Sequence, residues 1–339
     1  MSPVLEETAT TASAGSRVGV REVALLAGVS KQTVSRVLND HPYVRESTRD
    51  RVRDAIGELG YQVNQAARSL SAKKSRMLGV LATESTHFGP AASIAAIESR
   101  ARFHGRWVTC VYADVKDRGS VSDAISHLQA QSVEGVVIIA PYDPALRMLE
   151  ELPITVPFVT LHSSNDSDHT SSIDQVSGAR KAVAHLMDLG HVRVAHLSGP
   201  LEWAEARARR RGFELEIRSH GREPLPVVSG DWTAESGWNA TDALLKLHPS
   251  AIFCGNDQMA LGVLHRLHAE GIAVPGSVSV VGFDDHPDAR YYWPSLTTVR
   301  QDFASAARRC VDVLLSKDLA DTKPHELCLI IRASTGPSS

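Results

Sequence analysis

Arg21-Glu22-Val23-Ala24-Leu25-Leu26-Ala27-Gly28-Val29-Ser30-Lys31-Gln32-Thr33-Val34-Ser35-Arg36-Val37-Leu38-Asn39 divides into two short helices around a tight turn. Residues 21–27 are good helix formers, and Gly28 can take the left-handed backbone that ends a helix. Val29 follows as an apolar plug, and Ser30 is placed to cap a second helix running from Lys31 to about Asn39. With Lys31 set at zero and about 100° per residue, Gln32, Ser35, Arg36 and Asn39 fall between about 40° and 140°. Val34, Val37 and Leu38 fall on the opposite side, so one face is polar and the other belongs to a core. A third helix is predicted to open at Ser47, with Asp50 completing a capping box and Val52, Ala55, Ile56 and Leu59 at helical spacing before Gly60. Three such helices bury one small core and turn the polar face outward. That is the outline of a helix-turn-helix, whose second helix enters the major groove of DNA, although the same polar face would also suit a merely solvated helix.

Charge sharpens this. The 339 residues carry a formal −3, yet residues 17–76 hold 12 Lys and Arg against 6 Asp and Glu, a local +6 that leaves −9 elsewhere. A small basic head on a larger acidic body is the electrostatic footprint of a nucleic-acid-binding module. Residues 1–16, rich in Ser, Thr and Ala without periodicity, are expected to be a disordered tail. No apolar run approaches the roughly 18 residues of a membrane span, and Glu6 and Glu7 stand where a signal peptide would be basic and then apolar, so a soluble cytoplasmic protein is expected. Cys110, Cys254, Cys310 and Cys328 include no C-x-x-C pair, which speaks against disulfides or a zinc finger.

From Met77 onward, apolar strand-like runs alternate with amphipathic segments of helix length. Strands are predicted at Met77–Ala82, Trp107–Tyr112, Gly135–Ala140, Phe158–Leu161, Val192–Leu197, Pro226–Val228, Ala251–Cys254 and Val278–Phe283, with helices near 91–104, 121–131, 174–189, 201–218, 233–247 and 257–270. Continuous apolar strands separated by helices imply parallel sheets covered on both faces, here two doubly wound α/β units. Ligands in such folds bind beyond the carboxyl ends of the strands. No dinucleotide, Walker or nucleophile-elbow motif is present, so neither an enzyme nor a cofactor is expected. His185, His191 and His196 lack a completing carboxylate at metal-ligand spacing, and no metal is expected. Asn256-Asp257, Asp284-Asp285 and Gly230-Asp231-Trp232 stand at strand ends, as caps or as ligand contacts.

The string Val20-x-Glu22-Val23-Ala24-x-x-Ala27-Gly28-Val29-Ser30-x-Gln32-Thr33-Val34-Ser35-Arg36-Val37-Leu38-Asn39 resembles the DNA-binding signature of the LacI/GalR family of bacterial repressors. The body resembles the same family at Gly199-Pro200-Leu201, Arg207-x-Arg209-x-x-Gly212-Phe213, Asn256-Asp257-Gln258-Met259-Ala260-Leu261-Gly262, Ser279-Val280-Val281-Gly282-Phe283-Asp284-Asp285 and Leu296-Thr297-Thr298-x-x-Gln301-Asp302-Phe303. The likeness runs from about Val20 to Arg332. It implies an all-α helix-turn-helix domain at 17–62, a hinge helix at 63–75 and a periplasmic-binding-protein-like, dimerising core at 76–339. The core's first subdomain would comprise about 76–173 and 303–330, and its second about 174–302.

By that resemblance Lys31, Gln32 and Arg36 reach base edges, and Ser30, Thr33, Ser35 and Asn39 hold phosphates. Asn64 belongs to the hinge, and Leu70 takes the place of the leucine wedged into the minor groove, unless it merely packs on the body. In the cleft, Arg209, Asn256 and Asp284 would bond sugar hydroxyls, Trp232 and Phe303 would offer flat apolar surface, and Gln301 would help close the site. Gly89 and Pro90, read as a loop after the first strand, would form the near wall. Where one member of the family carries Leu, Asn, Asp and Ser in its pocket, this chain carries His87, Ala140, His162 and Glu205. A galactoside, a glucoside, a longer oligosaccharide or another polyol all remain open. The same member has Tyr in place of Lys31, so Lys31→Tyr should shift base preference at one symmetric pair. The expected partners are double-stranded operator DNA, a sugar effector and a second copy of the chain. A dimer is expected because no Leu heptads follow Leu327–Ile331. The body alone also resembles periplasmic sugar-binding proteins, which the basic head argues against.

Overall fold

The computed structural model describes residues 18–38, 41–61, 75–82, 87–114, 116–139, 148–149, 151–161, 170–171, 173–316 and 327–338. They fall in two compact units, 1–73 and 74–339. In the first, helices α1 (Val20–Leu26), α2 (Lys31–Leu38) and α3 (Glu46–Glu58) enclose a core of Val23, Ala24, Ala27, Val34, Val37, Val52 and Ala55. Gly28 takes φ +62°, the left-handed turn that L-residues with a Cβ disfavour. The Ser30 hydroxyl accepts from the Thr33 N–H at 3.1 Å, capping α2 as the sequence predicts.

The start of α3 differs from expectation. It opens at Glu46, not Ser47, after an extended Arg45 that offers no side-chain cap. The Arg45 carbonyl already accepts from Thr48 N at 2.9 Å and Arg49 N at 3.0 Å, so the first turn closes one residue early and the Ser47–Asp50 capping box does not form. Glu46 instead places a negative charge in the first turn, the favourable sign at a helix N-terminus.

The second unit holds two sheets. The first, in the order β2-β1-β3-β4-β5, is made of β1 (Met77–Ala82), β2 (Trp107–Tyr112), β3 (Gly135–Ile139), β4 (Phe158–Leu161) and β5 (Thr170–Ser171), all parallel. The second, in the order β11-β10-β9-β8-β6-β7, is made of β6 (Val194–Ser198), β7 (Val228–Ser229), β8 (Ala251–Cys254), β9 (Ser279–Asp284), β10 (Thr297–Arg300) and β11 (Cys328–Ile330). Only the β10–β11 edge pair is antiparallel. Strand alternation splits the side chains between layers. Ala251 and Phe253 of β8 join one buried cluster, and Ile252 and Cys254 join the other.

Helices α4 (Phe88–Phe103), α5 (Arg118–Ala130), α6 (Gln175–Asp188), α7 (Ala204–Ser219), α8 (Ala234–Leu245), α9 (Asp257–Ala269) and α10 (Phe303–Ser316) cover both faces of the sheets. Of these, α4 to α9 fall where the sequence predicts, within a few residues. The short strands β5, β10 and β11 and the helix α10 were not foreseen. Helix α10 packs on α4, β3 and β4 of the first sheet, but Cys328–Ile330, expected with it in the first subdomain, pairs with β10 in the second sheet. The open edge of Thr297–Arg300 supplies the backbone partners that this short apolar strand needs. The chain therefore crosses between the sheets before α6, again after β10, and a third time before β11.

Candidate functional site

Strands of both sheets aim their carboxyl ends at one cavity of about 690 Å³, part of it open to solvent. After β1, His87 occupies the N-cap position of α4 without a side-chain capping bond, and Pro90 stands in its first turn. Gly89 and Pro90 are thus helical rather than loop residues, at a position where the missing N–H of proline costs no helix bond. Glu205 and Arg209 lie one turn apart on α7, and Trp232 follows β7. Asn256 follows β8 and caps α9, its side chain accepting from Met259 N at 2.8 Å. Asp284 ends β9, and Gln301 and Phe303 stand where the chain enters α10. All ten of these sequence-predicted residues line the cavity. His162, like Ala140, lies outside the described residues.

A closed ring of polar side chains forms the buried wall. Arg209 Nε donates to Gln175 Oε1 at 2.8 Å, Gln175 Nε2 donates to Gln301 Oε1 at 2.7 Å, and Gln301 Nε2 donates to Asp284 Oδ1 at 2.6 Å. Arg209 Nη2 returns to Asp284 Oδ1 at 3.5 Å, and Nη1 donates to the Gly255 carbonyl. Burial lowers the Arg209 pKa, and the neighbouring carboxylates of Asp284, Glu205 and Asp257 pull it back up. Burial raises the Asp284 pKa against the opposing Arg209 charge and the Gln301 hydrogen bond. Behind them Asp257 is raised further, by burial and by the like charge of Asp284, while it accepts from Thr298 Oγ1 at 2.5 Å and His286 N at 2.7 Å. Such an enclosed charge pair is tolerable because Arg209 and Asp284 face each other and also hydrogen-bond to Gln175, the Gly255 carbonyl and Gln301.

Aromatic rings complete the lining. Trp232 and Asp284 take φ of +76° and +113°, strained backbone of the kind that collects at binding sites. A Cβ on Gly199 would come within 2.2 Å of the Trp232 ring, so only glycine leaves the indole its seat. The Arg209 guanidinium stands 4.0 Å from the Phe283 ring centroid and 5.4 Å from that of Trp232. Phe303 meets Phe88 edge-on at 5.8 Å, and His87 meets Trp203 edge-on at 5.6 Å. Paired donors and acceptors beside flat apolar faces suit a ligand with vicinal hydroxyls and a C–H face.

Sequence reasoning missed Gln175, Trp203 and Phe88, along with the apolar Ser93-side wall of Ile139, Leu161 and Ile173. Gln175 opens α6 at the first crossing between the sheets, so the rule applied to the other strand ends would have found it. Trp203 precedes Glu205 by two residues at the start of α7 and carries no motif of its own. His196 belongs to none of this. It is buried in β6 against Phe253 at 4.7 Å, Nδ1 faces the Phe253 carbonyl at 2.9 Å, and burial lowers its pKa to about 4.

In the first unit, Lys31, Gln32, Ser35 and Arg36 are exposed on α2, opposite buried Val34 and Val37. Ser30 is exposed and Thr33 half-buried, their hydroxyls 2.9 Å apart. Asn39, Asn64 and Leu70, with the whole expected hinge up to residue 74, lie outside the described residues. Among the described residues no cluster of His, Cys, Asp and Glu is arranged to hold a metal, and no helix is long and apolar enough to cross a membrane.

Residues 20–64 match the bacterial regulatory proteins of the lacI family, and residues 183–335 match the periplasmic binding protein-like domain. The chain is 37% identical over 302 residues to the lactose operon repressor of Escherichia coli (strain K12), covering 88% of this chain and 84% of that protein. It is 31% identical over 319 residues to the transcriptional repressor PurR of Vibrio parahaemolyticus, covering 91% and 93%. Among solved structures, the lac repressor dimer bound to operator and the anti-inducer ONPF superimposes with a TM-score of 0.85 at 33% identity, over 95% of this chain and 100% of that one. The regulator CelR in complex with cellobiose gives 0.67 at 28% identity, over 94% and 100%.

Proposed function

The chain belongs to the LacI family of bacterial regulatory proteins, and from that premise we propose that it represses carbohydrate-utilisation genes and releases a palindromic operator when a sugar fills the cavity. Its class is a DNA-binding transcriptional repressor and not an enzyme. The observation that carries the finer reading is the pairing of two surfaces within one chain. An exposed face of Lys31, Gln32, Ser35 and Arg36 suits base edges and phosphates, and a buried ring of Arg209, Asp284, Gln301 and Gln175 suits hydroxyl groups.

On DNA, a homodimer sets one α2 in each of two successive major grooves, with Lys31, Gln32 and Arg36 at base edges and Ser30, Thr33, Ser35 and Asn39 at phosphates. Asn64 and Leu70 act in the hinge, where Leu70 wedges the minor groove. In the cleft, His87, Pro90, His162, Glu205, Trp232, Asn256 and Phe303 contact the sugar together with Arg209, Asp284 and Gln301. The sugar favours the core conformation that is incompatible with operator binding, and its differential affinity for the two states sets the release. A 100-fold shift corresponds to about 2.7 kcal/mol of coupling.

Selection of bound duplexes from a random pool by the purified protein, with half of each round challenged by mono- and disaccharides, tests this. Enrichment of a symmetric site that one sugar releases is the expected outcome. A site whose binding the sugar tightens reverses the sign of regulation, and failure to enrich any site at low salt overturns the proposal.

A further inference from the structure

One flank of α6 touches the end of all three crossings between the sheets. Gln175 opens the helix where the first crossing arrives, and its amide donates to Gln301, at the second crossing, at 2.7 Å. Gly178, three residues on, packs against Leu327, the residue before β11 at the third crossing, so closely that a Cβ there would run into Leu327 Cδ1 and stand 2.8 Å from Phe283 Cζ. Lys181, three residues further, donates from Nζ to the Leu327 carbonyl at 2.9 Å. Residues three apart are neighbours on a helix surface, so Gln175, Gly178 and Lys181 share one side. Leu327 itself is 1% exposed and belongs to a buried cluster that takes Val80 and Val137 from the first sheet and Phe253 and Phe283 from the second. Apolar packing, being non-directional, would keep it buried yet let it slip along the helix. A directional bond to its carbonyl fixes where it sits.

We propose that this flank of α6 is the pivot of the allosteric motion, with Lys181 as a positioning residue, a role that rests on the release of operator by sugar proposed above. Arg209 Nε donates to Gln175 Oε1 at 2.8 Å, so a ligand that draws on Arg209 also pulls on the first turn of α6. With Leu327 held by Gly178 and Lys181, α6 cannot shift without β11, and the second sheet turns against the first as one body. Without that hold, α6 and β11 shift separately, and the ligand-driven movement is absorbed inside the second sheet. Lys181 is not among the residues that line the cavity, so its loss spares the ligand contacts.

Lys181→Met keeps the aliphatic reach and removes the donor, whereas Lys181→Arg keeps a donor at the end of a similar stem. Release is read by fluorescence anisotropy on the full-length protein and the duplex recovered from the random pool, without and with a saturating amount of the saccharide that frees it. In Lys181→Met the release factor should drop about tenfold, while affinity for the saccharide, read by calorimetry, and the denaturant midpoint stay close to those of the wild type. Lys181→Arg should restore most of the release. Combined with Gln175→Met, the losses should fall short of adding up, because both act through α6. Undiminished release from Lys181→Met, a loss that arginine does not restore and that follows the denaturant midpoint, or losses that simply add overturns the pivot and leaves the sugar reading standing. A wild type that no saccharide releases from DNA overturns that reading, and the pivot with it.

Discussion

The two units place their polar side chains in opposite ways. On α2 the residues assigned to DNA are exposed and lean on a core built by other positions, Val34 and Val37 among them. In the cleft the polar ring of Arg209, Gln175, Gln301 and Asp284 is itself buried, and its members hydrogen-bond to one another. The difference follows from what each must meet. A duplex arrives from solvent and supplies its own partners, so the reading face can wait hydrated. A small polar ligand must be taken from water by groups already dehydrated and aimed, and those groups have to be paired in the meantime. Substitutions should therefore separate cleanly: changes on α2 alter recognition and leave folding alone, whereas changes in the ring alter recognition and folding together.

The largest expected effect is at Asp284. Asp284→Ala leaves the Arg209 guanidinium buried without its carboxylate, at a cost of about 3–5 kcal/mol in core stability. Operator binding should persist and no longer respond to sugar, as read by gel shift with and without ligand. Asp284→Asn, which keeps a hydrogen-bond acceptor, should recover much of the stability but not the response. Equal stability and full response in both variants would break the comparison.

His196 gives the next largest effect, outside the ligand site. Its folded pKa of about 4 lies below the ordinary 6.5, so between those values the unfolded chain takes up a proton that the folded chain refuses. This contribution is present above pH 6.5 and is lost as the pH falls towards 4. In total it amounts to about 3 kcal/mol. The raised carboxyls of Asp257 and Asp284 act in the opposite sense, since there the folded form holds the proton more tightly. Comparing the wild type with His196→Phe by denaturant unfolding from pH 4 to 7 isolates the histidine, and the variant should show the shallower loss on acidification.

Arg36→Ala should cost about 1–3 kcal/mol of operator affinity and relax preference at the base pair it reads. Sugar affinity and core stability should stay as they were, which sharpens the contrast with Asp284. A smaller effect is expected at Gln175, whose amide joins Arg209 to Gln301 across the two crossings between the sheets. Gln175→Met should lower the coupling between sugar and operator by about 0.5–2 kcal/mol, measured as the change in operator affinity at saturating sugar.

Both units were largely legible in the sequence, for different reasons. The head declares itself because a Gly-centred turn and a 3.6-residue polar stripe are local. In the cleft, polar residues at strand ends marked Asn256 and Asp284, which serve as backbone cap or strand terminus and as cavity lining, whereas His87, Glu205, Arg209, Gln301 and Phe303 were indicated only by the family resemblance. Ile139, Leu161 and Ile173 could not be found this way, since an apolar residue on a cavity wall looks like any core residue. Helix α10 is not predicted although Ala307, Cys310, Val311 and Leu314 are buried at helical spacing; it follows directly on the Gln301–Phe303 motif, with no turn residues to set it apart. The capping box predicted at Ser47 does not form because the helix already opens at Glu46, with the Arg45 carbonyl accepting from Thr48 N and Arg49 N, a backbone feature that side-chain patterns do not reveal.

The central claim is that one chain couples the exposed face to the buried ring, and linkage gives it a direct test. Sugar affinity is measured with and without saturating operator, and operator affinity with and without saturating sugar, by calorimetry and fluorescence anisotropy on the same preparation. The account predicts that each ligand weakens the other by one shared factor, of about 100-fold. Sugar that binds in the cleft and leaves operator affinity unchanged would contradict it.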